Sequence, residues 1–366
     1  MTSSSGVVGV VGGYGAVGLA ALRQLRAWGV GPLRVGGRNP ARAARAAADL
    51  GAGAVAVDAT DDASLAAFCA GCSIVVNCAG PAVVIGDRVA RTAVAAGASY
   101  VDAAGDDALH ALLAPLAAAG RPLVISAGLM PGLTGLLPRY LVRRAGAAGA
   151  LTAYVGGRDR FTVTAAVDYL AVAAGYGEPL AVWRDGRVVP RGLAPLADIR
   201  PPAFLEPVIA QPYLSTETER LARALRLPEV RWYSVFAGPR LIAALRQAGG
   251  ADARKPAAVI EAARRISDAA ELDVFGHRPY QQIVLELSGE RPATLVLRGS
   301  GASALTGTAA ALAVYAVREG RVPPGVHHAA EVLDPADSVA LLRTADAVEE
   351  FVDGTVDAYE FQEGVL

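Results

Sequence analysis

Lysine is almost missing from this chain: Lys255 is the only one in 366 residues. A catalytic Tyr-x-x-x-Lys pair, in which the ammonium lowers the phenol pKa, is excluded because position 251 is alanine. Cysteine is scarce too. Three of them, Cys69, Cys72 and Cys78, cannot make a disulfide framework, and a reducing, cytoplasmic location is expected. Cys69 and Cys72 have C-x-x-C spacing, but no second pair or nearby histidine completes a tetrahedral set, so they read as packing residues at a helix end. The four histidines, His110, His277, His327 and His328, lack ligand spacing, and no metal is expected.

Charge of one sign is lacking as well. The net charge is -1 and no basic block offers a footprint for a phosphate backbone, so nucleic acid is not an expected partner. The leading MTSSS has no basic region of the signal-peptide kind, and the apolar stretch after it reads as a strand. The run Ala63 to Gly86 carries no charge but is broken by Gly71, Gly80 and Pro81, and Gly299 to Val317 is rich in Gly, Ser and Thr. Neither reads as a membrane span. Gly-x-Ser-x-Gly, Walker-type and zinc-hydrolase motifs are absent.

What is present is alternation. Between Val7 and about Ser126, short β-branched runs alternate with alanine-rich stretches of helical character, the pattern of βαβ units on a parallel sheet. Strands are expected at Val7 to Val11, Leu33 to Val35, Ala54 to Val57, Ser73 to Asn77, Ser99 to Val101 and Leu123 to Ile125, all apolar enough to be covered on both faces. Helix starts are marked by Asn39 before Pro40 and by Thr60 with Asp61 and Asp62. The fold class is α/β: a Rossmann, doubly wound parallel sheet with a second, inserted α+β domain. We divide the chain into a parallel-sheet domain at 1–128, a second domain at 129–298, and a C-terminal stretch at 299–366 in which the helical texture returns. The inserted region holds most of the aromatics. Its expected elements are a strand at Pro179 to Trp183 turning at Asp185-Gly186, a helix opened by the capping-box pair Thr216 and Glu219, and a hairpin of Gln281 to Leu287 with Ala293 to Arg298. A helix is expected again at Ser303 to Glu319.

The stretch GGYGAVG places Gly13, Gly15 and Gly18 in G-x-G-x-x-G spacing. With 41 glycines in the chain the spacing alone means little, but here it follows a strand and opens a helix, Ala16 to Trp28. Gly13 is expected to permit the tight turn, Gly15 to let the pyrophosphate approach, and Gly18 to let helix and strand pack. The backbone of Tyr14, Ala16 and Val17 belongs to the same cradle, at a helix N-terminus suited to phosphate. At the end of the second strand, where a carboxylate would accept from an NAD ribose, stand Arg38 and Asn39, with Arg42 one helical turn on. A guanidinium fork holds a 2′-phosphate by charge-assisted hydrogen bonds, so NADP is the expected cofactor. Asp58, after the third strand, could border the adenine; Asn77, Cys78, Ala79, Gly80 and Pro81, after the fourth, should run beside the nicotinamide half.

GGYGAVG, GRNPAR, NCAGP, YVDAAGD at Tyr100 to Asp106 and AGLMPGL at Ala127 to Leu133 resemble, in order and spacing, the saccharopine-dehydrogenase-like reductases. EGRVPPGVHHAAEVLDP, Glu319 to Pro335, resembles that family's C-terminal return. The resemblance implies a Rossmann domain for NAD(P), an inserted α+β domain over the nicotinamide, interconversion of imine and amine, and a homodimer formed through the second domain's sheet. It also places Tyr100 and Asp102 beside the nicotinamide. The cleft lysine of the Lys–His pairs used by some saccharopine dehydrogenases has no counterpart, since Lys255 lies in the polar stretch GADARKP.

Hydride transfer to C=N needs proximity, the right face and one proton donor. Tyr100 and Asp102 are the catalytic candidates, a phenol that donates directly and a carboxyl that donates if burial raises its pKa. A half-buried strand aromatic and a turn cap are the plain alternatives for the pair. Asp106 and His110 are weaker candidates, in a helix's first turns. Tyr169, Tyr176, Trp183, Tyr213, Trp232 and Tyr233 are candidates for a substrate wall, and Arg158 and Arg160 for a carboxylate or carrier phosphate, an exposed turn being the simpler reading. Three functions fit: reduction of a C=N bond (imine or thiazoline) in a small or carrier-tethered metabolite, trans-acting reduction of a carrier-bound enoyl chain, and a non-catalytic NADP-binding redox sensor. Exchanging Arg38 for Asp should weaken NADPH about tenfold or more while leaving NADH nearly unchanged. Calorimetric titration of both cofactors checks this, and equal curves for wild type and variant would remove the arginine from the site.

Overall fold

The computed structural model describes residues 6–172, 175–248 and 255–354; MTSSS and the 355–366 end of the C-terminal return lie outside the described residues. The chain forms two compact units. One comprises the described residues of Met1–Leu136, Thr162–Val172 and Gly301–Ala347, the other those of Leu137–Phe161, Ala173–Ser300 and Val348–Leu366.

In the first unit the strands are β1 (Val7–Val11), β2 (Leu33–Gly37), β3 (Gly53–Ala56), β4 (Cys72–Asn77), β5 (Ser99–Asp102) and β6 (Pro122–Ile125). A seventh, Gly325–His328, pairs with β6 from some 200 residues away in sequence. All pairings are parallel, and the order across the sheet runs Gly325–His328, β6, β5, β4, β1, β2, β3. The central strands are buried as their apolarity requires, but β3 is largely exposed because it forms the sheet's edge.

The helices are α1 (Ala16–Ala27), α2 (Pro40–Leu50), α3 (Asp62–Cys69), α4 (Ala82–Ile85), α5 (Arg88–Ala95), α6 (Asp107–Leu113), α7 (Leu133–Ala145), α8 (Val163–Val172), and beyond these Ala302–Arg318. Asn39 caps α2 by accepting from the Arg42 amide at 3.0 Å, with Pro40 at the first helical position. Asp61 rather than Thr60 caps α3: the Asp61 carboxylate takes the Ser64 amide at 2.6 Å, while the Thr60 hydroxyl donates to Asp58. The cysteines at the α3 end are buried, and desolvation pushes the Cys69 thiol up to about 11. Arg34 donates to the Phe68 and Ala70 carbonyls there, so this corner is a helix terminus satisfied by a guanidinium.

One core lies between the sheet and α3, α5 and α6. Val75, Tyr100, Leu123 and Ile125 meet Phe68, Val89 and Leu113 there, all at most barely exposed. α1 packs on Ala302–Arg318, where a Cβ on Gly307 would come within 2.6 Å of the Ala21 amide nitrogen and the Val17 carbonyl. Small residues let those two helices approach backbone to backbone.

The second unit is a mixed sheet. Leu151–Arg158 pairs in parallel with Glu229–Phe236, and antiparallel with Tyr280–Leu287, which forms the expected hairpin with Ala293–Gly299. The expected strand at Pro179 to Trp183 is split into Gly177–Pro179 and Val182–Arg184, because Leu180 adopts φ 62° and turns the chain. The helix Thr216–Leu225 is capped by Ser215, whose hydroxyl accepts from the Thr218 amide at 3.1 Å, one residue earlier than the Thr216 and Glu219 box. Glu219 instead pairs with Arg223. Replacing Gly307 with Ala should cost about 1–3 kcal/mol by forcing backbones apart. A thermal melt would show it as a drop in Tm of several degrees; an unchanged melt would mean that the α1 contact tolerates a methyl group.

Candidate functional site

The phosphate turn is set by space. Gly12 has φ 78°, and a Cβ on it would lie 2.8 Å from the Ala79 amide nitrogen and the Cys78 carbonyl. The residue that permits the tight turn is therefore Gly12, not Gly13, which the fingerprint spacing had singled out. Gly18 behaves as its position demands: a Cβ would stand 2.3 Å from the Gly12 carbonyl oxygen. α1 begins at Gly15 with no side chain capping it and no acidic residue in its first turn, so its amides and positive dipole end are available to a phosphate.

At the end of β2, Gly37 leaves room for the ring of Tyr14, which would lie 2.2 Å from a Cβ there. The Tyr14 hydroxyl accepts from the Asn39 amide at 3.0 Å, and the Arg42 guanidinium sits 4.6 Å from the ring centroid. Arg38 is exposed beside it and, with the Thr60 hydrogen bonds as the larger cause, holds the Asp58 carboxyl below its ordinary range. A cradle that admits no Cβ, an uncapped helix start and two arginines at the second strand's end fit an NADP molecule.

The 77–81 loop follows β4, and its start is bound to the glycine turn through the Cys78 amide on the Val11 carbonyl at 2.9 Å. The Asn77 side chain accepts from the Ala79 amide at 3.1 Å and donates to Asp102 at 3.2 Å. Asp102, at the end of β5, also accepts from the Tyr100 hydroxyl and from the Ala104 amide at 2.8 Å. Burial raises the Asp102 carboxyl above its ordinary value, although all three donors pull it down. Burial and the neighbouring carboxylate hold the Tyr100 phenol far above its usual range, and the Cys78 thiol is pushed up for the same two reasons. Tyr100 is not the half-buried strand aromatic of the plain sequence reading: it is fully buried, and its proton is committed to Asp102.

Asp106 caps α6, accepting from the Ala108 and Leu109 amides. His110 stacks on His328 at 5.0 Å, and His328 lies 2.9 Å from the Ser126 hydroxyl and 3.3 Å from Asp107. Ser126 is buried with φ 57°, at the end of β6. His110 alone of this cluster stands out as a candidate in the sequence, because Ser126 and His328 are distant from it along the chain.

Of the aromatic wall, Tyr169 lies on α8 of the first unit and is exposed, while Trp183, Trp232 and Tyr233 are buried in the second unit's own core. Arg158 is not in an exposed turn but on a strand, paired with Glu206 and donating to the Asp273 carbonyl at 2.7 Å; Arg160 pairs with Glu271 at 3.4 Å. Among the described residues no group of His, Cys, Asp or Glu could hold a metal ion, and no helix is long and apolar enough to cross a membrane.

Residues 8–123 match the family model described as the saccharopine dehydrogenase NADP binding domain. The fold is that of apo saccharopine dehydrogenase (L-Glu forming) from Saccharomyces cerevisiae, with TM-score 0.64, 16% identity and coverage of 96% of this chain and 100% of that one. Lesser likenesses, with TM-scores of 0.47 and 0.46, are to GenD2 from gentamicin A biosynthesis in complex with NAD (15% identity, 97% and 98% covered) and to UDP-N-acetylglucosamine 3-dehydrogenase GnnA from Acidithiobacillus ferrooxidans (13%, 93% and 98%). No curated protein sequence matches the chain. Residues 8–123 thus form a domain of the NADP-binding kind, with NADP as its cofactor. The fold of the chain is similar to that of saccharopine dehydrogenase. Substituting Gly12 by Ala should lower NADPH affinity about tenfold or more, since a methyl group there must displace the Cys78–Ala79 backbone. A fluorescence titration with unchanged affinity would show that this close approach is dispensable.

Proposed function

We propose that this protein is an NADPH-dependent reductase of a C=N bond, of imine or thiazoline type, in a small or carrier-tethered metabolite. The observation that carries the reading is the buried Asp102 carboxyl, raised in pKa and held by Tyr100, Asn77 and the Ala104 amide at the carboxyl end of the parallel sheet. Ligands of open parallel sheets lie outside that end. NADPH, when bound, supplies the hydride that adds to the carbon.

Asp102 delivers the proton to the nitrogen and is recharged from solvent, so that C=N, hydride and proton become an amine. Tyr100 is a positioning residue here: fully buried and retaining its proton, it fixes the orientation of the carboxyl. Asn77 joins that carboxyl to the loop that should border the nicotinamide.

A donor must be protonated to act, and burial keeps Asp102 protonated to higher pH than an ordinary carboxyl. Assayed by NADPH oxidation over a panel of cyclic imines and thiazolines, kcat/KM should be highest at low pH and fall as pH rises through this group's pKa. Asp102→Asn should lower kcat about a hundredfold with little change in NADPH affinity, and Tyr100→Phe should lower it less, with the pH limb moved upward because a donor that lowers the carboxyl pKa is gone. Full turnover in Asp102→Asn would sink this assignment. Turnover of carrier-bound enoyl thioesters in place of imines would move the acceptor to C=C, and tight NADPH binding with no turnover would favour a sensor.

A further inference from the structure

Besides Gly301–Ala347, the first unit takes in the short segment Thr162–Val172, although the residues on either side of it belong to the second unit. That segment is α8, and it presents Asp168 to the loop after β4. The Asp168 carboxylate accepts from the Ala82 amide at 2.6 Å and also from the Val83 amide. These are the first amides of α4, whose cap position is Pro81, a residue with no side-chain acceptor to offer. Contact is close around the loop itself: a Cβ on Gly80 would lie 2.7 Å from Thr164 Cγ2 and 3.3 Å from an Asp168 oxygen.

The loop is therefore gripped at both ends. Asn77 holds the start, Asp168 holds the finish, and Cys78–Ala79 between them lie against Gly12 of the phosphate turn. Asp168 is only partly exposed and stands close enough to Asp102 for that carboxylate, along with burial, to raise its pKa. We propose that Asp168 is a positioning residue of the cofactor crevice, which fixes from α8 the loop against which the nicotinamide end of NADPH rests. The proposal depends on the reading above that this loop borders the nicotinamide, and it adds a residue that no glycine fingerprint contains.

A simple helix cap would stabilise the fold and leave ligand selectivity untouched, so the test compares two ligands that differ in the nicotinamide end. NADPH and 2′,5′-ADP, which shares only the adenosine end, are titrated into the full chain and its variants. Asp168→Ala is expected to weaken NADPH about tenfold with 2′,5′-ADP unchanged, and Asp168→Asn, which keeps one acceptor oxygen, to recover most of the loss. Asp334→Ala serves as a matched control, because Asp334 likewise takes two amides, those of Ala336 and Asp337, at the start of a helix. It should lower the melting temperature comparably and leave both titrations as in wild type.

Equal weakening of both ligands by Asp168→Ala, or of neither, overturns the proposal; so does an NADPH-selective loss in Asp334→Ala. Should Asp168→Ala not fold, Asp168→Glu, which keeps the charge but displaces the acceptor oxygens from the Ala82 amide, takes its place, a weakening of NADPH but not of 2′,5′-ADP being required. Wild-type protein that binds both ligands yet reduces no imine would end the functional reading above and leave this test standing.

Discussion

Everything at the mouth of the parallel sheet follows from two backbones forced together. The turn after β1 and the loop after β4 run so close that the atoms of Cys78 and Ala79 occupy the place where Gly12 would carry a side chain. That approach leaves the first strand's carboxyl end without side chains, which is what a pyrophosphate needs in order to reach helix amides. It also sets the start of the 77–81 loop directly against the phosphate turn.

A second constraint is electrostatic. Asp102 is a buried acid whose charged form is poorly hydrated, with three donors arranged around it to limit that cost. Burial outweighs the donated hydrogen bonds, so the carboxyl lies above its ordinary range. Tyr100 contributes to this from inside the core, so the same side chain packs against Val75, Leu123 and Phe68 and orients a polar group.

The first six strands and their helices were legible in the sequence because each is a local matter: a β-branched run, an Asn–Pro start, a glycine turn. The cofactor was legible too, since Arg38 and Arg42 follow the second strand directly. What escaped was set by distance or by small shifts of register. The seventh strand has no alternation of its own and exists because β6 offers an edge to Gly325–His328. The fingerprint spacing pointed to Gly13, whereas the crowding that demands glycine falls one residue earlier, and it arises from a loop more than sixty positions on. α8 falls inside the 129–298 stretch read as the second domain, because nothing local says that a helix flanked by the second unit's segments belongs with the first. Trp183 and Trp232 misled as wall candidates because aromatic content marks a core as readily as a pocket.

The seventh strand carries His328, which meets Ser126 across a separation of 202 residues. Closing so long a loop is slow relative to local zipping, and most of the intervening chain must first collapse into a different unit. On the ribosome, then, the nucleotide-binding sheet emerges early but stays one strand short until the Gly325–His328 segment has been made, some 200 residues after β6. Its β6 edge is left open in the meantime, a raw margin on which a neighbouring nascent chain could pair.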